Sequence, residues 1–184
     1  MTVSRWIRLL SFSILVGSLL NSGLGQSRST PTIRLLLSEV MPGSLSTDQY
    51  CTLVFSDHHF HSEKASRHHG KDTDRKVFEG QLNDTEWNSL NEILDNPDFR
   101  DLKVPQSVVP LIMQDTHPYT ISVARAGNYQ NMEFLDSKSL KPYQTQVKPL
   151  LQWWKTIRAQ RLPESTAPVN NRCSLDSTHG IIAQ

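Results

Sequence analysis

Five of the seven histidines lie between positions 58 and 69, and their spacing is suited to metal binding. His59 and His61 would point to the same face of an extended strand, about 7 Å apart. Two imidazoles at that spacing can bind one divalent ion at about 2.0 to 2.1 Å per bond. Glu63 shares this face, but it lies about 13 Å from His59 along a straight strand. The candidate metal ligands are His59, His61, His68 and His69.

The third ligand of such a site would have to come from the loop that follows the strand. His68, His69 or a carboxylate such as Asp72 or Asp74 could supply it, and zinc would be the first ion to consider, with copper or nickel next. The alternative is that these histidines are solvated residues of a hairpin tip and loop, with at most weak adventitious binding. In that case no cofactor is expected.

The two cysteines form the second candidate chemical feature. Cys51 lies in a strand-like run and Cys173 in a polar C-terminal stretch. A disulfide between them would join the tail to the domain, and an exported protein permits this bond. The alternative is a buried Cys51 that packs as a small hydrophobe, with a free thiol at Cys173.

No local motif in the sequence predicts catalysis. There is no Gly-x-Ser-x-Gly elbow and no phosphate-binding glycine loop, so no catalytic residue is assigned. A triad is assembled in space, however, and the sequence does not exclude one. A hydrolase with a spatially assembled site is therefore the third functional hypothesis.

The N-terminal 25 residues have the composition of a secretory signal peptide. Arg5 and Arg8 precede an apolar run over 9–20, and Gly23-Leu24-Gly25 resembles a small-x-small cleavage site. The run is shorter than the roughly 20 residues of a membrane-spanning helix, and no later run is longer. A secreted or periplasmic protein without a membrane span is expected after cleavage. The net charge of +1 argues against nucleic acid as a partner.

Hydrophobic periodicity predicts an α+β fold with an antiparallel sheet of four to six strands and two amphipathic helices on one face. Asn83 and Glu86 have the spacing of a capping box and mark the start of the first helix. Gly127-Asn128 is expected to form the tight turn of a second hairpin. Strands are expected over 33–40, 50–55, 59–64, 76–82, 119–124 and 129–135, and helices over 83–96 and 143–157.

The predicted organisation has four parts. They are a signal peptide (1–25), a linker with the first strand (26–47), the α+β domain (48–160) and a flexible tail (161–184).

The pattern over about 48–158 resembles a group of exported bacterial α+β domains of unknown function. These domains carry a β-hairpin with an aromatic-x-x-Asp-Gly turn, an Xaa-Glu-Gly strand, a helix before an x-x-Phe-x-x-Leu segment, and a second hairpin and helix. His58 stands where that turn usually has glycine. The matching residues are Tyr50, Leu53, Phe55, Asp57, Phe78-Glu79-Gly80, Trp87, Leu90, Phe99, Leu102, Tyr119, Ile121 and Val123. All are packing or turn residues, so the resemblance implies a fold and no catalytic role.

The leading functional expectation is a non-enzymatic binding or interaction module that works outside the cytoplasm. Its partner would be a protein or a small ligand that the sequence does not identify. Metal binding by the histidine-rich hairpin is the second hypothesis.

Overall fold

Strand β1, Ile33–Pro42, lies in the middle of an antiparallel sheet of six strands with the order β4-β3-β2-β1-β5-β6. A computed structural model describes residues 31–68, 71–105, 117–160, 162–165 and 173. The other strands are β2 Ser46–Phe55, β3 His59–His68, β4 Lys71–Gln81, β5 Tyr119–Arg125 and β6 Asn128–Phe134. The helices are α1 Asp84–Asp95, α2 Pro97–Arg100, α3 Ser137–Leu140 and α4 Gln144–Arg158, with a 3₁₀ turn at Lys141–Tyr143.

Alternation along the strands gives the sheet two different faces. On one face, Leu35 of β1 is paired with Val54 of β2 and Val123 of β5. These residues form the main core with the buried sides of α1 and α4. We call this side the helix face and the other side the disulfide face.

A hydrogen-bonded chain anchors α4 to the helix face. The indole N–H of Trp154 donates to Thr52 Oγ1 at 2.8 Å, and Thr52 Oγ1 lies 2.8 Å from Ser62 Oγ. Ser62 Oγ donates in turn to the carbonyl of Cys51 at 3.2 Å. Polar atoms removed from water need such partners, so this chain fixes the position of α4 on β2 and β3.

The N-terminus of α1 has the predicted capping box. Asn83 accepts from the backbone N–H of Glu86 at 3.0 Å, and the Glu86 carboxylate accepts from the N–H of Asn83 at 2.9 Å. Pro97 follows Asn96 and ends the helix there. The start and the end of α1 are therefore confirmed.

The first hairpin turn, over 56–58, lies where the sequence predicts it, whereas the second turn is shifted by one residue. His58 has the left-handed φ of 68° that its glycine-like position requires, and its ring stacks on Trp87 with 4.3 Å between centroids. In the second hairpin, Arg125 pairs with Asn128, so the turn is Ala126-Gly127 rather than Gly127-Asn128. Gly127 is the residue with positive φ, at 80°, and it takes the second turn position.

The α+β class and the antiparallel sheet agree with the prediction. The predicted number of helices, two, is lower than the number in the described residues. The short helices α2 and α3 lie outside the two predicted helices, and both start at side-chain caps, from Asn96 and Asp136. Strand β1, which the prediction placed with the linker over 26–47, pairs with both β2 and β5 and belongs to the same sheet.

The predicted signal peptide and the linker over 26–30 lie outside the described residues. In the predicted flexible tail, the described part is bound to the sheet edge: Ser165 N–H donates to the carbonyl of Val77 at 2.7 Å, and Glu164 forms a β-bridge with Phe78. These bonds use backbone groups that an edge strand leaves unpaired. None of the helices over the described ranges is long and apolar enough to cross a membrane.

Candidate functional site

A cleft of about 620 Å³ lies between the helix face of the sheet and the C-terminal end of α4. Strands β1 to β5 all contribute to the sheet side of the cleft, with Glu39, Tyr50, Ser62, Phe78 and Tyr119. The last turn of α4 and the segment after it form the opposite wall. A volume of this size is typical of pockets for small molecules.

Glu39 is the charged group at the floor of the cleft, and only 5 % of it is exposed. One carboxylate oxygen accepts from the Arg158 guanidinium, and the other lies 3.1 Å from His117 Nε2. The Tyr119 hydroxyl also donates to this carboxylate. A buried charge is costly without partners, and three side chains supply them here.

Arg158 is held by aromatic rings as well as by Glu39. Its guanidinium carbon lies 3.7 Å from the centroid of the Tyr50 ring and 4.7 Å from that of Trp154. Stacking of a guanidinium on aromatic faces is favourable, especially out of water. The rings and the carboxylate therefore fix Arg158 in one place at the end of α4.

The network shifts the pKa values of two of its members. Burial raises the pKa of Glu39, but the hydrogen bonds from Arg158 and Tyr119 and the nearby positive charges outweigh it, so the pKa is lowered. Burial and the hydrogen bond to Glu39 raise the pKa of Tyr119 to about 12. At neutral pH the pair is thus a carboxylate that accepts from a protonated phenol.

Apolar and polar groups line the cleft in roughly equal measure, and two lysines are among the polar groups. Lys64 of β3 and Lys155 of α4 border the opening, and the Lys64 ammonium lies 5.5 Å from the centroid of the Tyr50 ring. Glu63 also borders the cleft, but its carboxylate is bound to residues on the disulfide face. The apolar wall residues are Met41, Phe60, Phe78, Ile157 and Leu162.

His59 and His61 share the disulfide face of β3, as alternation along a strand requires, but both contact carboxylates. His61 Nδ1 lies 2.6 Å from Glu79 Oε1, and His61 Nε2 lies 2.8 Å from Glu63 Oε1. His59 Nε2 lies 2.8 Å from Glu79 Oε2, in an ion-pair contact that is not aligned as a hydrogen bond. Burial lowers the pKa of His61, but the two carboxylates outweigh it and raise the pKa.

Of the predicted metal ligands, His68 lies far from the other two that the structure describes, His59 and His61. His68 is exposed at the far end of β3, about 23 Å along the strand from His61 by the rise per residue. One ion therefore does not bridge these two histidines. His69 lies outside the described residues, so its place in such a site stays a prediction.

Cys51 and Cys173 are joined by a disulfide with 6.0 Å between their Cα atoms. Cys173 is completely buried and packs with Cys51, Leu53 and Phe55 in a small second core on the disulfide face. His61 and Glu63 are next to this bond, since one donor atom from each and the Cys173 sulfur lie within 4.8 Å of one another.

The cleft and the network around Glu39 were not predicted from the sequence. One signal was present: Glu39 continues the alternation of Leu35 and Leu37 in β1, so a charge follows two inward-facing leucines. A charged residue at a core-facing position indicates a partner or a site. The partners Arg158 and His117 are 119 and 78 residues away in sequence, and no local pattern connects them with Glu39.

Comparison with the models of known protein families found no match, and the comparison with curated protein sequences found none either. The candidate function therefore depends on the chemistry of the site.

Proposed function

We propose that this protein is a non-enzymatic binding module that holds a small amphipathic anion in the cleft beside α4. The cleft itself is the main support for this proposal, because it combines apolar side chains with two lysines, Lys64 and Lys155. A ligand with an apolar body and one carboxylate, sulfonate or similar group would match both features.

The apolar part of the ligand would pack against the aromatic and aliphatic walls. Phe60, Phe78 and Ile157 come from three different elements, so an occupant would be enclosed from more than one side. Burial of apolar surface contributes about 25 cal/mol per Å² before the costs of association. This contribution supplies affinity but little orientation.

The anionic group would be oriented by the lysines. Lys155 is exposed and Lys64 is half-buried, so both ammonium groups can reach an anion at the mouth. Arg158 already neutralises Glu39, and the cleft therefore has an excess of positive charge. An anion is the ligand that this arrangement favours.

The hydroxyl that contacts Glu39 gives little support to a hydrolase. This hydroxyl belongs to Tyr119, and its pKa of about 12 keeps it protonated at neutral pH. A nucleophile requires the opposite shift. We therefore place binding ahead of catalysis.

The test uses 8-anilinonaphthalene-1-sulfonate, which has aromatic rings and one sulfonate and fluoresces when its rings leave water. We expect saturable binding of one dye molecule per chain. The Lys64→Glu/Lys155→Glu variant should bind the dye at least about tenfold more weakly, which corresponds to about 1.4 kcal/mol. Lys148→Glu is the matched control, because Lys148 is exposed on α4 and does not border the cleft.

A second pair of variants separates the cleft from the general surface. Ala159 is exposed and borders the cleft, so Ala159→Trp should fill its mouth and abolish the fluorescence increase. Thr156→Trp adds the same ring at an exposed position of α4 outside the cleft and should bind like the wild type. Equal binding by both tryptophan variants, each with a native circular dichroism spectrum, would refute the proposal.

We also propose that the protein works in the periplasm or outside the cell. The leader-like composition of 1–25 and the disulfide between Cys51 and Cys173 are both compatible with export. The resemblance to exported bacterial α+β domains fits the same location. N-terminal sequencing of the mature protein tests it, since export predicts a new N-terminus at Gln26.

A further inference from the structure

The disulfide face contains four donor groups in one small buried cluster, and of these only Glu63 also borders the cleft. Glu63 of β3 is directly opposite Cys51 of β2 in the strand register, and His61 is two residues along β3 on the same face. The residues His61 and Glu63 are only 3 % and 1 % exposed. The sulfur of Cys173 and one donor atom each of His61 and Glu63 lie within 4.8 Å of one another.

The donor atoms that face each other are oriented by further partners. Glu79 contacts His61 Nδ1 at 2.6 Å, which leaves Nε2 directed at Glu63. Arg75 donates to Glu63 Oε2 at 3.1 Å, which leaves Oε1 directed at His61. A carboxylate behind a histidine and a hydrogen bond behind a ligating carboxylate are the contacts that orient ligands in zinc sites.

We propose that reduction of the Cys51–Cys173 disulfide converts this cluster into a zinc site with two thiolates, His61 Nε2 and Glu63 as ligands. The proposal is independent of the cleft, which is on the helix face of the sheet. It differs from the histidine-only site expected from the sequence, because of those four histidines only His61 is retained.

The conversion balances in electrons and protons. A dithiol reductant transfers two electrons and two protons to the disulfide, so the S–S bond breaks, two thiols form and the reductant becomes a disulfide. Zn²⁺ then forms two Zn–S bonds and displaces both thiol protons, and a proton on His61 Nε2 leaves as the Zn–N bond forms. The released protons pass to solvent.

The required movement is small. Bonded sulfur atoms are about 2 Å apart, whereas two thiolates at about 2.3 Å from a tetrahedral Zn²⁺ are about 3.8 Å apart. The sulfurs must therefore separate by about 2 Å. Zn²⁺ would also replace the direct contact between His61 Nε2 and Glu63 Oε1, which are 2.8 Å apart.

Cobalt binding to the reduced full chain tests the site directly. The protein is reduced with an excess of tris(2-carboxyethyl)phosphine, the reductant is removed without oxygen, and Co²⁺ is added. We expect one Co²⁺ per chain, a thiolate-to-cobalt charge-transfer band in the near ultraviolet and the visible ligand-field bands of tetrahedral cobalt. Zn²⁺ should displace the Co²⁺ and bleach both sets of bands.

Co²⁺ binding by the reduced wild type is compared with that of the oxidised protein and of three variants. Oxidised protein should show no thiolate band, and reduced Cys173→Ser should lose most of it. Reduced Glu63→Gln removes one charged ligand with little change in shape and should bind Co²⁺ at least about tenfold more weakly. His117→Ala is the matched histidine control, since His117 lies on the other face, and it should bind like the wild type.

Three results would overturn the proposal. They are equal metal affinity of the oxidised and reduced protein, reduced protein that binds Co²⁺ without a thiolate band, and a disulfide that survives the phosphine while the protein stays folded. None of these results would alter dye binding in the cleft, so the two proposals can fail separately.

Discussion

Phe60 and Gly80 face each other across β3 and β4, and the Phe60 ring occupies the space that a side chain at position 80 would need. A Cβ atom on Gly80 would overlap the ring, and Phe60 is only 1 % exposed, so the ring has little room to move. The absence of a side chain at position 80 therefore permits the packing of Phe60.

We predict that Gly80→Ala destabilises the protein by about 1 to 3 kcal/mol, the usual cost of excess volume in a packed core. Urea unfolding followed by circular dichroism measures the change. Phe60→Leu should also be destabilising, but adding Gly80→Ala to Phe60→Leu should cost much less than Gly80→Ala alone, because the smaller side chain makes room. Full additivity of the two changes would contradict the packing explanation.

The anchor of α4 gives a second prediction. Trp154→Phe removes the N–H that donates to Thr52 and part of a buried ring, so we expect a loss of about 2 to 4 kcal/mol in the free energy of unfolding. Trp153→Phe is the matched control: its N–H donates to the carbonyl of Glu86 over a longer 3.3 Å. A smaller loss is expected there, and equal losses would show that the Thr52 bond contributes little.

The pKa of Tyr119 predicts a stability change in alkaline solution. Its folded pKa of about 12 is above the ordinary value of 10.0, so the phenol favours the folded state below pH 10. This contribution is lost as the pH rises through about 12. The stability advantage of wild type over Tyr119→Phe should shrink across this range, as measured by urea unfolding at each pH. Tyr129→Phe, at an exposed position, is the matched control.

Glu39 gives the corresponding prediction in acid. Its folded pKa is below the ordinary value of 4.5, so its contribution is complete above that pH and is lost as the pH falls through the folded pKa. Wild type should therefore approach Glu39→Gln in stability at low pH and exceed it at neutral pH. A constant difference between the two proteins from pH 7 to pH 2 would contradict the role assigned to the carboxylate.

Local sequence patterns were sufficient to predict individual helices and strands but not how these elements are arranged in the fold. The capping box of Asn83 and Glu86 lies within four residues, and it marked α1 correctly. The central place of β1 depends on its pairing with β5, whose partner residues are 80 to 88 positions away. Nothing near β1 in the sequence encodes that pairing, so the strand was assigned to a separate segment.

In the candidate site, too, features within one strand were predictable from the sequence, whereas contacts between distant segments were not. Alternation predicts correctly that His59 and His61 share a face, because this depends only on β3. Their contacts with Glu79 depend on the register of β3 with β4. The cleft requires the end of α4 to meet β1, and this contact joins Arg158 to Glu39 over 119 positions. Such sites follow from tertiary packing and are not visible in a single segment.

The disulfide provides the last prediction. Cys51 and Cys173 are 122 positions apart, and closing a loop of that size is worth about 4 to 5 kcal/mol in the chain-entropy account. We expect oxidised wild type to exceed Cys51→Ala/Cys173→Ala by up to that amount in urea unfolding. Reduced wild type, measured with a chelator to remove metal, should resemble the double variant. Addition of Zn²⁺ should then restore stability to the reduced wild type alone, because only that protein retains both thiolates.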